Sequence, residues 1–325
     1  MRAIQVTEYG GPEVLRLAEV DAPEPGPGEV AVDVAYAGVN FAEIKARRTG
    51  YRVPSLPFRP GLEVSGRIRT LGEGVTGLAV GQEVAAFTVG GGYAEVALAP
   101  AAQTFAVPAG LSLRTAATLP TVLPTAHALV HEAGRLRSGE SVLVHGAAGG
   151  VGTAAGQLAK RVGEVTVYGV VSSPAKAEFA LKHGYDQVFV GDDWAARLAD
   201  ATGGRGVDLL LDPIGGDALR HALDCLSPFG RVVSFGNTSD EAAWQFGTAE
   251  LAPGARSVTA FSIMTLAGTA PQALRTLSER AFRLVADGEV ELPVTAELPL
   301  AEAAEAHRLM ESRATTGKLL LRIGA

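Results

Sequence analysis

The 325-residue sequence predicts an α/β protein in two parts: a doubly wound parallel sheet and a smaller, mainly β domain. Three observations carry this. From Ser141 onward, short apolar runs alternate with helical stretches, the pattern of strands buried on both faces of a parallel sheet. A glycine-rich turn joins the first of those strands to a helix. Before residue 115, short β-rich runs are separated by Gly/Pro punctuation such as Pro23-Glu24-Pro25-Gly26-Pro27-Gly28.

In chain order, the β-rich part predicts strands over Glu29–Val39, Leu62–Thr70, Glu83–Phe87 and Tyr93–Leu98, with one helix over Phe41–Arg48. Thr115–Arg137 is Ala/Leu-rich and helical, with Pro120 and Pro124 breaking it early. Strands follow over Ser141–Val144, Val165–Val171, Asp186–Val190, Val207–Leu211, Arg231–Ser234 and Val258–Phe261. Helices over Pro271–Asp287 and Leu300–Ser312 and a strand over Lys318–Arg322 close the chain. This tail has no core of its own and is expected to pack back on the first domain. The expected division is 1–122 with 266–325, and 123–265.

Composition narrows the function. Lys and Arg total 28 against 35 Asp and Glu, so no basic field favours nucleic acid or anionic lipid. The single cysteine, Cys225, excludes an intrachain disulfide and a Cys-rich zinc site, and it fits a reducing compartment. The N-terminus lacks an apolar signal core. The uncharged stretches Val96–Leu113 and Ser257–Leu274 are interrupted by Ser, Thr, Gly and Pro, unlike a membrane span. A cytoplasmic protein without membrane or nucleic-acid partners is the expectation.

The chemistry begins at the turn. The strand Ser141–Val144 runs into His145-Gly146-Ala147-Ala148-Gly149-Gly150-Val151-Gly152 and then a helix over Thr153–Arg161. This is the G-x-G-x-x-G dinucleotide fingerprint with Ala147 in its first glycine position. Its glycines let backbone approach a pyrophosphate, which free N–H groups and the helix dipole then hold. The second strand ends Val171-Ser172-Ser173-Pro174-Ala175-Lys176, with no acid to bind a ribose 2′-hydroxyl before Glu178. Ser172 and Lys176 suit a 2′-phosphate, so NADPH is the expected cofactor; the alternative is an ordinary Ser-Pro helix start with a solvated lysine.

In motif order along nearly the whole chain, the sequence resembles the medium-chain dehydrogenase/reductase superfamily. Its zinc enzymes carry a cysteine in Gly-Val-Cys-His and a histidine in Gly-His-Glu; the matching stretches here are Gly38-Val39-Asn40-Phe41 and Gly61-Leu62-Glu63. Asn40 and Leu62 replace neither thiolate nor imidazole. The helical pair His127 and His131 has no third ligand in view, so no metal is expected. Together with Ser234-Phe235-Gly236-Asn237-Thr238-Ser239 and Glu311-Ser312-Arg313-Ala314-Thr315-Thr316-Gly317-Lys318, these stretches resemble the zinc-independent, ζ-crystallin-like quinone oxidoreductase branch. The resemblance implies a Rossmann domain paired with a GroES-like catalytic domain.

It also implies roles. Gly149, Gly150, Val151 and Gly152 would follow the pyrophosphate, and Thr125 the nicotinamide amide. Ser172 and Lys176 would hold the 2′-phosphate, although Gly191-Asp192 stands where relatives often place a tyrosine. Phe235, Asn237, Phe261 and Ser262 would line the cofactor; for Asn237 the alternative is an Asn-Thr-Ser turn. The run Val258–Met264 would form the edge of a homodimer, or simply a buried strand. Arg313 and Lys318 would approach the cofactor from the first domain, or stand as surface charges. Asn40 would face the nicotinamide end, compatibly with capping the Phe41–Arg48 helix. Tyr51 would give a proton to a reduced carbonyl oxygen, or pack on Pro54 or Pro57. Without a metal the acceptor must take hydride unaided, which quinones and conjugated enones do. The expected activity is NADPH-dependent reduction of such carbonyls; an enoyl-thioester or enone reductase of a biosynthetic pathway, or a non-catalytic NADPH-binding protein, are the alternatives.

Overall fold

A computed structural model describes residues 1–239 and 245–324. The chain divides into two compact units, Met1–Pro124 with the segment from Leu266 on, and Thr125–Thr265. The N-terminal segment holds β1 (Arg2–Gln5), β2 (Arg16–Glu19), β3 (Glu29–Val39), α1 (Phe41–Thr49), β4 (Glu63–Leu71), β5 (Glu83–Phe87), β6 (Val96–Pro100), β7 (Thr104–Ala106) and α2 (Leu113–Ala116). Next come α3 (Val122–His127), β8 (Ser141–His145), α4 (Gly150–Lys160), β9 (Thr166–Val171), α5 (Pro174–Leu181), β10 (Gln187–Val190) and α6 (Trp194–Ala201). They are followed by β11 (Val207–Asp212), α7 (Gly216–Asp224), β12 (Leu226–Ser234), α8 (Thr248–Leu251), β13 (Ser257–Ala260) and α9 (Ile263–Thr269). The chain ends in α10 (Pro271–Ala286), β14 (Val294–Pro299), α11 (Ala303–Glu311) and β15 (Lys318–Arg322).

In the first unit the larger sheet runs β14-β15-β3-β4-β5-β7, with β6 also on β3. The C-terminal tail belongs here because β15 pairs antiparallel with β3, Leu319 opposite Val39. Alternation along β3 and β15 turns Val30, Val32, Val34, Leu319 and Leu321 into one core, against which α11 lays Ala303 and Ala306.

The second unit is a six-stranded sheet in the order β10-β9-β8-β11-β12-β13, every neighbouring pair parallel. The chain winds outward from β8 to β10 and then returns to β11 on the other side of β8. The order therefore reverses between β8 and β11, where doubly wound sheets bind ligands at their strand C-termini. Every residue of β11 is buried, its apolar run Leu209–Leu211 included, and Leu143, Leu210 and Val232 carry the core across three strands.

Two expectations differ from the structure. The helix expected over Thr115–Arg137 is broken: α2 ends at Ala116, α3 starts at Val122, and a wide π turn follows over Ala128–Ala133. Pro124 breaks nothing, because in the first turn of α3 its missing N–H has no helical partner to lose. β12 begins at Leu226, five residues before the expected strand. Pro228-Phe229-Gly230 reads as a turn, yet it is an irregularity inside the strand, with Phe229 at φ 62°.

Asp208 ties three segments of the second unit together. Its carboxylate accepts from Ser141 N (2.8 Å), Ser227 Oγ (2.9 Å) and Arg205 Nη2 (2.6 Å). Burial opposes its charge, but these donors prevail and lower the carboxyl to about 2. A carboxylate held below its ordinary value stabilises the fold at pH values above that value, an advantage lost as pH falls toward 2. Asp208→Asn should therefore cost about 2 kcal/mol at neutral pH. Urea unfolding at pH 7 checks this, and an unchanged midpoint would contradict it.

Candidate active site

In the second unit the glycine-rich turn leaves β8 at Gly146, whose φ of 69° suits a residue without a side chain. Gly149 caps α4 with no side-chain hydrogen bond, so nothing of its own covers the first N–H groups of the helix. The third glycine has a different task. A Cβ at Gly152 would lie 2.4 Å from the Gly146 carbonyl oxygen and 2.7 Å from Ala147 Cα, both backbone atoms. The helix is thus seated in contact with the turn. At Gly149 a Cβ would meet only the Gly146 oxygen, at 3.3 Å, so the outer side of the turn is open. Close helix packing behind an open run of amides is what a pyrophosphate requires, and the residues present fit a dinucleotide.

The other residues expected on the cofactor in this unit lie at the same edge of the sheet, because all six strands run parallel. Ser172 follows β9 and is exposed, and half-buried Lys176 lies on the first turn of α5. Phe235, Gly236 and Asn237 follow β12, and Phe261 and Ser262 follow β13. The loops after β11 and β12 are bound to each other: Phe235 N donates to Asp212 O (2.9 Å) and Thr238 N to Pro213 O (3.1 Å). Asn237 Oδ1 accepts from Ser239 Oγ (2.9 Å), the local turn that Asn-Thr-Ser suggests. Thr125 is buried in α3.

Sequence reasoning missed His145 and Asp212 in this unit. His145 Nδ1 lies 3.1 Å from Asp212 Oδ1, joining the ends of β8 and β11 across the switch point, and Trp194 stands edge-on at 4.7 Å. Asp212 also accepts from the amides of Ile214 (3.2 Å) and Gly215 (2.8 Å), which shapes the loop beside the turn. The signal was the polar residue that follows an apolar run at the end of each of two strands.

The first unit contains a buried charge cluster at the end of β3. The register dictates it: Leu319 opposite Val39 brings Lys318 beside Asn40, and Val64 opposite Ala37 brings Glu63 beside Gly38. Gly38 makes the space, since a Cβ there would collide with Glu63 Oε1. Lys318 Nζ donates to Glu63 Oε1 (2.6 Å), Asn40 Oδ1 (2.8 Å) and Val39 O (3.2 Å), which occupies all three of its hydrogens. Asn40 Nδ2 donates to Glu63 Oε1 (3.0 Å) and Glu43 Oε1 (3.4 Å). Glu43 Oε2 accepts from Asn40 N (3.0 Å), the reciprocal half of a helix-capping pair, while Glu43 Oε1 accepts from Leu62 N (3.0 Å). Thr121 N completes Glu63 at Oε2 (2.8 Å).

Lys318 is therefore not a surface charge: it is 3 % exposed, and its three hydrogens are engaged. Two buried carboxylates share this one cation, so burial, and then the charge of Glu63, raise the Glu43 carboxyl to about 7. Tyr51 is exposed; Lys45 and Arg52 flank its ring at 5.3 and 5.6 Å, and Arg52 Nε donates to its hydroxyl (3.2 Å). Arg313 is exposed in the turn before β15, at φ 55°. Among the described residues, no group of three or more His, Cys, Asp or Glu is placed to hold a metal ion, and no helix is long and apolar enough to cross a membrane.

Residues 26–109 match the family model described as alcohol dehydrogenase GroES-like domain, and residues 150–279 that described as zinc-binding dehydrogenase. The chain is 35 % identical over 324 residues to a quinone oxidoreductase of Pseudomonas aeruginosa, covering 98 % of this chain and 99 % of that one. The chain belongs to the medium-chain dehydrogenase/reductase family, in its quinone oxidoreductase branch. A crystal structure of Escherichia coli quinone oxidoreductase complexed with NADPH superposes with a TM-score of 0.92 at 33 % identity, covering 99 % of this chain and 100 % of that one. The zebrafish synaptic vesicle membrane protein VAT-1 homolog is 34 % identical over 98 % of this chain and 69 % of its own length. The sheets described above are thus the Rossmann-like and GroES-like sheets of this family.

Proposed function

We propose that the chain is an NADPH-dependent reductase that passes hydride to a quinone or another conjugated carbonyl without a metal. The observation that carries this is the second unit's glycine turn, closed against the helix behind Gly152 and open in front of Gly149. The Escherichia coli relative crystallised with NADPH supports the same reading. When bound, NADPH supplies a hydride from its nicotinamide ring.

The amides of Gly150, Val151 and Gly152 hold the pyrophosphate at the positive end of α4. Ser172 and Lys176 hold the 2′-phosphate, and the absence of an acid at the end of β9 removes the group that would repel it. Thr125, Phe235, Asn237, Phe261, Ser262 and Arg313 orient the remainder of the cofactor. Asn40 binds the nicotinamide end. Tyr51 gives a proton to the reduced oxygen: its hydroxyl accepts from Arg52 Nε, which leaves its own hydrogen to point elsewhere. Asn40 and Leu62 supply neither thiolate nor imidazole, and electrophilic carbonyls accept hydride without Lewis-acid help. The outer edge of β13 forms the interface of a homodimer.

A panel of para-quinones, enones and enoyl thioesters, followed by NADPH oxidation with and without chelator, tests the reading. Quinone and enone turnover indifferent to chelator is expected; chelator-sensitive turnover would contradict it, and NADPH binding without consumption would reduce the protein to a carrier. Lys176→Ala should weaken NADPH by about ten- to a hundredfold, the value of one charge-assisted contact, and leave NADH nearly unaffected. Equal losses for both would remove Lys176 from the 2′-phosphate.

A further inference from the structure

Between Ile44 and Leu62 the chain carries Lys45, Arg47, Arg48, Arg52 and Arg59 and not a single Asp or Glu, in a protein whose formal net charge is −7. Arg47 is buried and turns inward to Glu311. The others reach the surface, and two of them converge on Tyr51. Lys45 Nζ lies 5.3 Å and the Arg52 guanidinium carbon 5.6 Å from the centre of its ring, both within cation–π reach. Arg52 Nε also donates to the Tyr51 hydroxyl (3.2 Å), which brings the charge to the polar end of the ring. The tyrosine is 40 % exposed, so a solute can reach it.

The backbone is bent to put Arg52 there. Val53 N donates to Gly50 O (3.0 Å), closing a tight turn in which Arg52 is the third residue. Its φ of 57° is left-handed, a conformation that glycine or asparagine adopts readily at that position and that a β-carbon resists. The turn bond itself is made by backbone alone and needs no arginine. An exposed arginine held in a conformation that suits glycine points to a use for its side chain.

We infer that Lys45 and Arg52 form a binding site for an oxyanion carried by the substrate, so that the preferred acceptors are quinones or enones bearing a carboxylate or another acidic substituent. This rests on the reading that Tyr51 serves the reduced oxygen, and it adds the chemical class of the acceptor. The guanidinium presents a planar fork to a carboxylate, and the ammonium a point charge beside it. With both cations on the ring of the proton donor, the acidic group lies a few bonds from the carbonyl that is reduced.

The probe is a benzoquinone carrying a propionate side chain, compared with its methyl ester, whose ring has the same electronic character. Affinities are measured by equilibrium dialysis against the full chain, and NADPH oxidation is followed in parallel. The wild type should bind the acid about tenfold more tightly than the ester, the value of two partly exposed ion pairs at roughly threefold each. Lys45→Gln and Arg52→Gly should each lower that ratio about threefold. Raising the salt from about 0.01 M to about 1 M should bring the wild-type ratio close to one. Arg52→Gly should act without lowering Tm, because glycine accepts the left-handed backbone. A wild-type ratio near one at low salt overturns the inference, and so does a ratio that neither variant moves. If the preference for the acid holds and neither quinone is reduced, the anion site stands and it is the reductase reading that fails.

Discussion

Gly152→Ala should reduce NADPH affinity by at least about a hundredfold and destabilise the second unit by roughly 1–3 kcal/mol, the usual cost of forcing a methyl group into packed surroundings. The three atoms nearest the new Cβ are all backbone: Gly146 O at 2.4 Å, Ala147 Cα at 2.7 Å and Ala147 C at 2.8 Å. No side-chain end can swing aside, so α4 must move off the turn, and its amides lose their aim at the pyrophosphate. Gly149→Ala is the control, because its Cβ meets a single atom at 3.3 Å and should leave the unit folded with near-normal stability. Fluorescence titration with NADPH and thermal melts check both. Gly152→Ala binding within threefold of wild type would show that close packing at this turn is not what shapes the cofactor site.

Lys318→Met should be the most damaging side-chain replacement in the first unit, at about 3–5 kcal/mol, because it leaves the buried Glu43 and Glu63 without their cation. For a unit of this size that is a fall in Tm on the order of 10 °C. The pH dependence has a definite sign. Glu43 is already raised from 4.5 to about 7, so protonation is favoured in the folded state. Its contribution to stability is therefore fully present below pH 4.5 and disappears as pH rises through 7. Removing Lys318 takes away a charge that holds the Glu43 carboxyl down, so Glu43 rises further and the variant should lose more stability at pH 8 than at pH 5. Urea unfolding at the two pH values decides it: an equal loss at both would mean that the pair is not an electrostatic partnership.

Much of the fold was legible because it follows from local rules. β3, β5 and β15 begin and end where alternation and turn residues place them, and the glycine turn stands between a strand and a helix as its spacing requires. β14 was not foreseen: it is six residues between Pro293 and its own terminal Pro299, with half-exposed alternation too short to distinguish from a loop. The helices α5, α6 and α7 are only eight or nine residues long, too short for a clear period, and are helical because the crossovers of a parallel sheet need them.

The site divides in the same way. Residues of the glycine turn and of the β9 end are contiguous in sequence, and their chemistry could be read there. The cluster around Asn40 could be read only in half. Its capping partner Glu43 lies three residues away, but Glu63 and Lys318 lie 23 and 278 residues away and arrive by strand register. That is why Lys318 reads as a surface lysine in sequence and is a buried counter-ion in the fold. His145 and Asp212, 67 residues apart, meet for the same reason: parallel neighbours place the ends of their strands side by side.

The most direct test of the central claim is a crystal of the protein soaked with NADPH. Density is expected for the pyrophosphate within hydrogen-bond distance of the Gly150, Val151 and Gly152 amides, with the 2′-phosphate beside Ser172 and Lys176. A well-ordered crystal that takes up the compound elsewhere, or leaves the amides at the start of α4 uncovered, would contradict it.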